Sequence, residues 1–185
     1  MTEVSMRKAL IVAILAVLLP ALVPVPLPAA ERLQFGVAVR SGFTAIKKEE
    51  TFHIQEVVAF HTLPWDWNWK DGWYLNTLWE IHFGLLSAAG EDRVLFSTGP
   101  ALVLETPWKR VSFVFGVRPG FLEDHVFGKE NVGGALQFTE ELGVDLAILG
   151  GLSVGYRFQH LSNAGLYNHN PGLDFHVLEV RWLLP

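Results

Sequence analysis

The stretch Trp73-Tyr74-Leu75-Asn76-Thr77-Leu78-Trp79-Glu80-Ile81-His82-Phe83-Gly84-Leu85 decides the fold class. Its odd positions are Trp73, Leu75, Thr77, Trp79, Ile81, Phe83 and Leu85, an almost wholly apolar row. Its even positions are Tyr74, Asn76, Leu78, Glu80, His82 and Gly84, a largely polar one. Side chains alternate across a strand with period two, whereas a helix repeats its apolar face every three to four residues. The stretch therefore predicts a β-strand with one apolar face.

The same alternation recurs outward along the chain. Val111, Phe113, Phe115 and Val117 alternate with Ser112, Val114, Gly116 and Arg118. Leu136, Phe138, Leu142, Val144 and Leu146 alternate with Gln137, Thr139, Glu141, Gly143 and Asp145, and Glu140 breaks that apolar row. Eight strands are predicted, at 32–43, 51–63, 72–87, 92–105, 109–120, 133–147, 150–163 and 172–184. Most exceed the roughly five or six residues of soluble strands and match the ~9–11 that a tilted membrane strand needs. No helical pattern separates them, so the sheet should be antiparallel.

Composition narrows the classes further. The chain has 185 residues, which fits one domain, and 50% of them are apolar against 18% charged, which excludes a disordered chain. The absence of cysteine excludes a disulfide framework, thiol redox chemistry and a cysteine-based zinc site. A formal net charge of −5 without any basic run argues against nucleic acid as a partner. Arg7 and Lys8 precede an apolar run over 9–23, and a proline-rich tail ends at Pro28-Ala29-Ala30. That order of basic, apolar and small residues is a secretory signal, so the expected organisation is a signal peptide at 1–30 and a barrel over 31–185. A membrane anchor fits less well, because Pro20, Pro24, Pro26 and Pro28 interrupt the run. No cysteine follows it, so lipidation there is excluded.

Two all-β architectures compete. A soluble sandwich or lipocalin-like barrel hides its apolar face and wets its polar one. A membrane barrel turns the apolar face to lipid and the polar face to the lumen. Here the polar face carries Arg40, Glu80, Arg118, Glu141, Asp145, Arg157, Glu179 and Arg181 together with Gly36, Gly84, Gly99, Gly116, Gly143 and Gly155. Balanced charges and small residues suit a narrow eight-strand interior. His61 and His82 are assigned to the same inner face as structural residues. Trp65, Trp67, Trp69, Trp73, Trp108 and Trp182 collect at the turns of one rim, as an interfacial girdle does. The loops of the other rim fall at 44–50, 88–91, 121–132 and 164–171, the third reading as an ordinary solvated loop. The expected fold is an eight-stranded antiparallel transmembrane β-barrel of the outer membrane of a Gram-negative bacterium.

The apolar row of the seventh strand, Leu152, Val154, Tyr156 and Phe158, continues into His160 and Ser162. The row of the eighth, read backwards from Leu184 through Trp182, Val180 and Leu178, continues into His176 and Asp174. Positions 160 and 174 are symmetric about Tyr167, so an unbulged hairpin sets them opposite, with Cβ atoms about 4.5–5.5 Å apart. An imidazole, a hydroxyl and a carboxylate then share one lipid-facing patch, where polar groups are costly. Base, nucleophile and orienting acid are the parts that activate a serine.

Gln159-His160-Leu161-Ser162-Asn163-Ala164-Gly165, followed by Asn170-Pro171-Gly172, resembles the signature of the outer-membrane lipid A 3-O-deacylases of the PagL type. The resemblance is sharp over about 153–176 and extends to the rest through size, signal and strand pattern. It implies an esterase that removes the acyl chain at position 3 of the lipid A glucosamine disaccharide. It makes Ser162 the nucleophile, His160 the base and the residue at 174 the acid. It places Asn170 and the backbone N–H of Gly165 at the oxyanion, with Asn163 in support. It implies no cofactor and no metal, with lipid A as substrate, membrane lipids as surroundings and a homodimer left open. Two features depart from what is expected. In the family position 174 is usually Glu and is Asp here, with His176 and Glu179 as nearby alternatives, Glu179 discounted because it falls on the lumen face; and the chain ends Trp182-Leu183-Leu184-Pro185, whereas many outer-membrane barrels end on an aromatic residue. A phospholipase-type acyl hydrolase of the outer membrane and a non-catalytic structural barrel are the competing readings.

Overall fold

The computed structural model describes residues 34–46 and 48–184, so the segment 1–30, expected to be a signal peptide, lies outside the described residues. Eight antiparallel strands close into a barrel: β1 (Phe35–Thr44), β2 (His53–Asn68), β3 (Tyr74–Ala88), β4 (Glu91–Glu105), β5 (Val111–Leu122), β8 (Leu136–Leu149), β9 (Leu152–Ser162) and β10 (Leu173–Leu183). Each pairs with its sequence neighbour, and β1 pairs with β10 to remove the last free edges. A two-stranded hairpin, β6 (Val126–Phe127) with β7 (Glu130–Asn131), stands outside the barrel sheet.

Every predicted barrel strand is present. β2 departs most, running to Asn68 instead of 63. Its pairing with β3 shifts register between Thr62 and Asp66 and then resumes. Pro64, which has no N–H for the ladder, falls within this irregularity, where a proline is tolerated. The extension carries Trp65 and Trp67 outward, 60% and 51% exposed. Trp69, Trp108 and Trp182 are exposed at the same rim. On β3, Trp79, Ile81 and Phe83 point outward while Glu80 and His82 are wholly buried. An apolar outside around a charged inside is the inversion that a membrane barrel requires.

The lumen is layered. At its mid-height Arg40 meets Glu179, Glu141 at 2.8 Å and Glu56 at 3.9 Å. Arg118 bridges Glu80 at 3.0 Å and Glu141 at 2.8 Å. Arg157 joins Asp145 and Glu179, both at 2.7 Å, and Arg181 joins Glu80 and Glu179 at 2.8 and 2.9 Å. His82 lies between Glu80 and Glu56. Isolated charges in such an interior would be costly, and shared partners offset their desolvation. Glycines leave the room: a Cβ at Gly155 would collide with the Asp145 carboxylate, and one at Gly143 with the Arg157 side chain.

Three expectations need correction. Glu56 belongs to the inner network although the sequence reading left it out, and His61 faces outward, its ring against Phe35. On β2 the inward residues are Ile54, Glu56, Val58, Phe60 and Thr62, a mixed row that hides the alternation. The 121–132 segment is not simply a solvated loop, because Phe127 and Val132 are buried. Together with Phe52, Ile54, Leu86, Leu95, Leu122, Leu161, Leu173 and Phe175 they form an apolar plug at the outer end of the lumen. Phe127 and Phe52 meet edge-on at 5.2 Å between ring centroids. At the opposite end the lumen opens into a cavity of about 530 Å³ between Phe60, Leu78, Val103, Trp108 and Arg181.

Candidate active site

Strand β9 ends at Ser162 and β10 begins at Leu173, both at the outer rim. Their register sets His160 opposite Asp174 and Leu161 opposite Leu173. Leu161 and Leu173 enter the apolar plug, so by alternation His160, Ser162 and Asp174 face outward. All three are half-buried. His160 Nδ1 lies 2.7 Å from Asp174 Oδ1. With the Nδ1 proton held by the carboxylate, Nε2 carries the lone pair that a general base uses. Aspartate thus reaches the imidazole despite being shorter than glutamate. His176, one of the alternative partners, is occupied elsewhere: its Nδ1 is 2.7 Å from the Tyr156 hydroxyl. Glu179, the other, is buried in the lumen network.

Ser162 shares the face of His160, and its Oγ has no hydrogen-bond partner among the described residues. The structure therefore brings the imidazole and the carboxylate into contact and places Ser162 two residues along the same face of β9, with no hydrogen bond from its hydroxyl to either. Hydrogen bonds of this kind are often loose in the absence of substrate.

The segment 163–172 is organised by Asn163, which is wholly buried. Its Nδ2 donates to the carbonyls of Gly133 at 2.8 Å and His169 at 2.7 Å. Its backbone N–H donates to Asn170 Oδ1 at 3.1 Å. Its Oδ1 accepts the Gly165 N–H at 3.0 Å. The Gly165 N–H, expected to face an oxyanion, is thus already engaged within the loop. Asn170 has its carbonyl oxygen engaged, which leaves its amide NH₂ as a donor. The tight turn is carried by Ala164 and Gly165 at φ 50° and 77°. The left-handed region is costly for alanine, and such strain persists only where surrounding contacts impose it.

Neighbouring segments fix this loop from both sides. Lys48 Nζ donates to the Pro171 carbonyl at 2.9 Å, and the Ala45 N–H to the Asp174 carbonyl at 2.7 Å. Gly172, at φ 60°, lies so close that an added Cβ would be 2.9 Å from His160 Cε1. Sequence reasoning missed Lys48, Gly133 and Tyr167, whose hydroxyl accepts the Leu136 N–H at 3.3 Å. The pair Gly133-Gly134, both at positive φ, was the available signal for a close approach.

Similarity to known proteins agrees with this fold. Residues 56–182 match the family described as lipid A 3-O-deacylase (PagL). The chain belongs to the lipid A 3-O-deacylase family. The lipid A deacylase PagL of Pseudomonas aeruginosa is 30% identical over 127 residues, covering 63% of this chain and 72% of that protein. A second lipid A 3-O-deacylase family member, the lipid A deacylase PagL of Bordetella bronchiseptica, is 38% identical over 48 residues, 26% of this chain and 27% of that protein. The crystal structure of the outer membrane enzyme PagL superposes with a TM-score of 0.70 at 22% identity, covering 80% of this chain and 99% of that one. The shared fold is the eight-stranded outer-membrane barrel.

Proposed function

We propose that this chain hydrolyses the ester at position 3 of lipid A from the lipid-facing wall of the barrel, as a serine esterase. The observation that carries the proposal is the His160–Asp174 pair, bonded at 2.7 Å on the outside of the barrel wall. Family membership supports the substrate, since the relatives are lipid A deacylases. An acyl chain of the outer leaflet runs alongside that wall, so the ester reaches the patch without entering the lumen.

His160 takes the proton of Ser162 as Oγ attacks the acyl carbonyl. Asp174 holds the imidazole in its tautomer and stabilises the imidazolium. The Asn170 amide and the Gly165 N–H, shared with Asn163 Oδ1, donate to the tetrahedral oxyanion, a contribution of about 3 kcal/mol per donor in comparable sites. His160 then gives its proton to the leaving sugar hydroxyl, which breaks the C–O bond and leaves the acyl group on Ser162. Water, deprotonated by His160, attacks the acyl-enzyme and releases a 3-hydroxy fatty acid.

A fluorophosphonate probe tests the nucleophile directly. The detergent-purified barrel should be labelled at Ser162, and labelling should disappear in Ser162→Ala and fall sharply in His160→Ala. Labelling of Ser162→Ala at the wild-type rate contradicts the assignment. Asp174→Ala should lower kcat by about 10⁴, less than loss of the nucleophile, because the carboxylate only orients and stabilises the base.

A further inference from the structure

Glu140 is an outward carboxylate with no assigned role. It lies on β8, is exposed, and interrupts the lipid-facing row Leu136, Phe138, Leu142, Val144 and Leu146. Interface-marking polar residues sit at strand ends. Glu140 instead has Phe138 and Leu136 further out on its own strand, so it stands inside the apolar band. Its cross-strand neighbours are Val117 on β5 and His160 on β9. Its carboxylate has no hydrogen-bond or ion-pair partner among the described residues. His160 cannot satisfy it, since Nδ1 is held by Asp174 and Nε2 is the nitrogen that Ser162 needs. An ionisable group on a lipid-facing wall needs a partner, and here the protein supplies none.

We infer that Glu140 is a substrate-orienting residue, accepting a hydrogen bond from a sugar donor vicinal to the scissile ester. The inference rests on the deacylase reading above. On a glucosamine carrying the ester at carbon 3, the flanking donors are the amide N–H at carbon 2 and the hydroxyl at carbon 4. Opposite residues on adjacent strands hold their Cβ atoms about 4.5–5.5 Å apart, so a sugar over His160 lies within reach of the Glu140 carboxylate. The carboxylate repels the phosphates of the headgroup, whereas Lys48, tied to Pro171 on the β1 side, presents a positive charge. The two charges favour one orientation of the ring across the wall. Asp174 on one side of the imidazole and Glu140 on the other then have separate duties, the first toward the base and the second toward the sugar.

The test compares full-length wild type, Glu140→Gln and Glu140→Ala in detergent micelles on three substrates. These are 2,3-diacylglucosamine 1-phosphate, its 4-deoxy analogue, and the analogue with an ester oxygen in place of the 2-amide nitrogen. A hydrogen bond to a charged acceptor predicts that one analogue loses about tenfold or more in kcat/KM with wild type. That same penalty should vanish in Glu140→Ala, while heat-modifiable migration shows the barrel intact. Equal penalties in wild type and Glu140→Ala overturn the inference. So does unchanged discrimination with a shifted acid limb of the pH–rate profile, which would mean that Glu140 acts on His160. Wild type that cleaves none of the three substrates fails the deacylase reading itself, and the inference with it.

Discussion

Gly172 illustrates how closely the backbone is drawn around His160, the proposed base. Its φ of 60° and the 2.9 Å approach of a would-be Cβ to His160 Cε1 leave no room for a side chain. Gly172→Ala should therefore displace the imidazole and lower kcat about tenfold or more, with the barrel still folded, since misplacement of about 1 Å costs up to 10²-fold. Wild-type kcat in that variant, with the protein folded, would show that the ring has slack. The His160–Asp174 pairing was legible from residue arithmetic, because a hairpin symmetric about Tyr167 fixes which residues face each other. The occupation of the Gly165 N–H by Asn163 was not, because that bond depends on a turn held by contacts distant in sequence.

At the scale of elements, the segment 163–172 hangs on one amide. Asn163 Nδ2 faces two carbonyls, those of Gly133 and His169. Asn163→Asp is nearly isosteric but turns a donor into an acceptor opposed to both oxygens. Leaving such buried groups unsatisfied costs about 1–3 kcal/mol each. The expected result is loss of most activity, read by lipid A turnover in micelles, with unchanged barrel spectra. Full activity in that variant would show that the loop is held by other contacts. The barrel strands were legible because lipid on one side and a charged lumen on the other enforce strict alternation. β2 was the exception: Pro64 and the register shift beside it broke the period, so its final residues were missed, and Glu56 was missed because its inward row mixes Ile54, Val58 and Phe60 with polar residues. The Phe127 plug was missed for another reason, since the short 126–131 hairpin carries no periodicity to read.

On the proposed reading, the whole molecule separates stability from chemistry across the barrel wall. The lumen holds the ion network, and the outer face holds the candidate site. Arg118 is wholly buried and shared by Glu80 and Glu141. Arg118→Met should destabilise the barrel by about 3–5 kcal/mol, because both carboxylates lose a buried partner. Urea unfolding in lipid vesicles reads this directly, and an unchanged midpoint would mean that the network re-pairs without Arg118. In whatever fraction stays folded, turnover per molecule should be close to wild type, because the proposed site lies on the other face. The central claim is that this outer face cleaves lipid A through Ser162. Mass spectrometry of lipid A from Gram-negative cells expressing wild type or Ser162→Ala tests it most directly. The account predicts loss of one 3-hydroxyacyl group with wild type alone. Unchanged lipid A in both, with heat-modifiable protein present in the outer membrane, would contradict it.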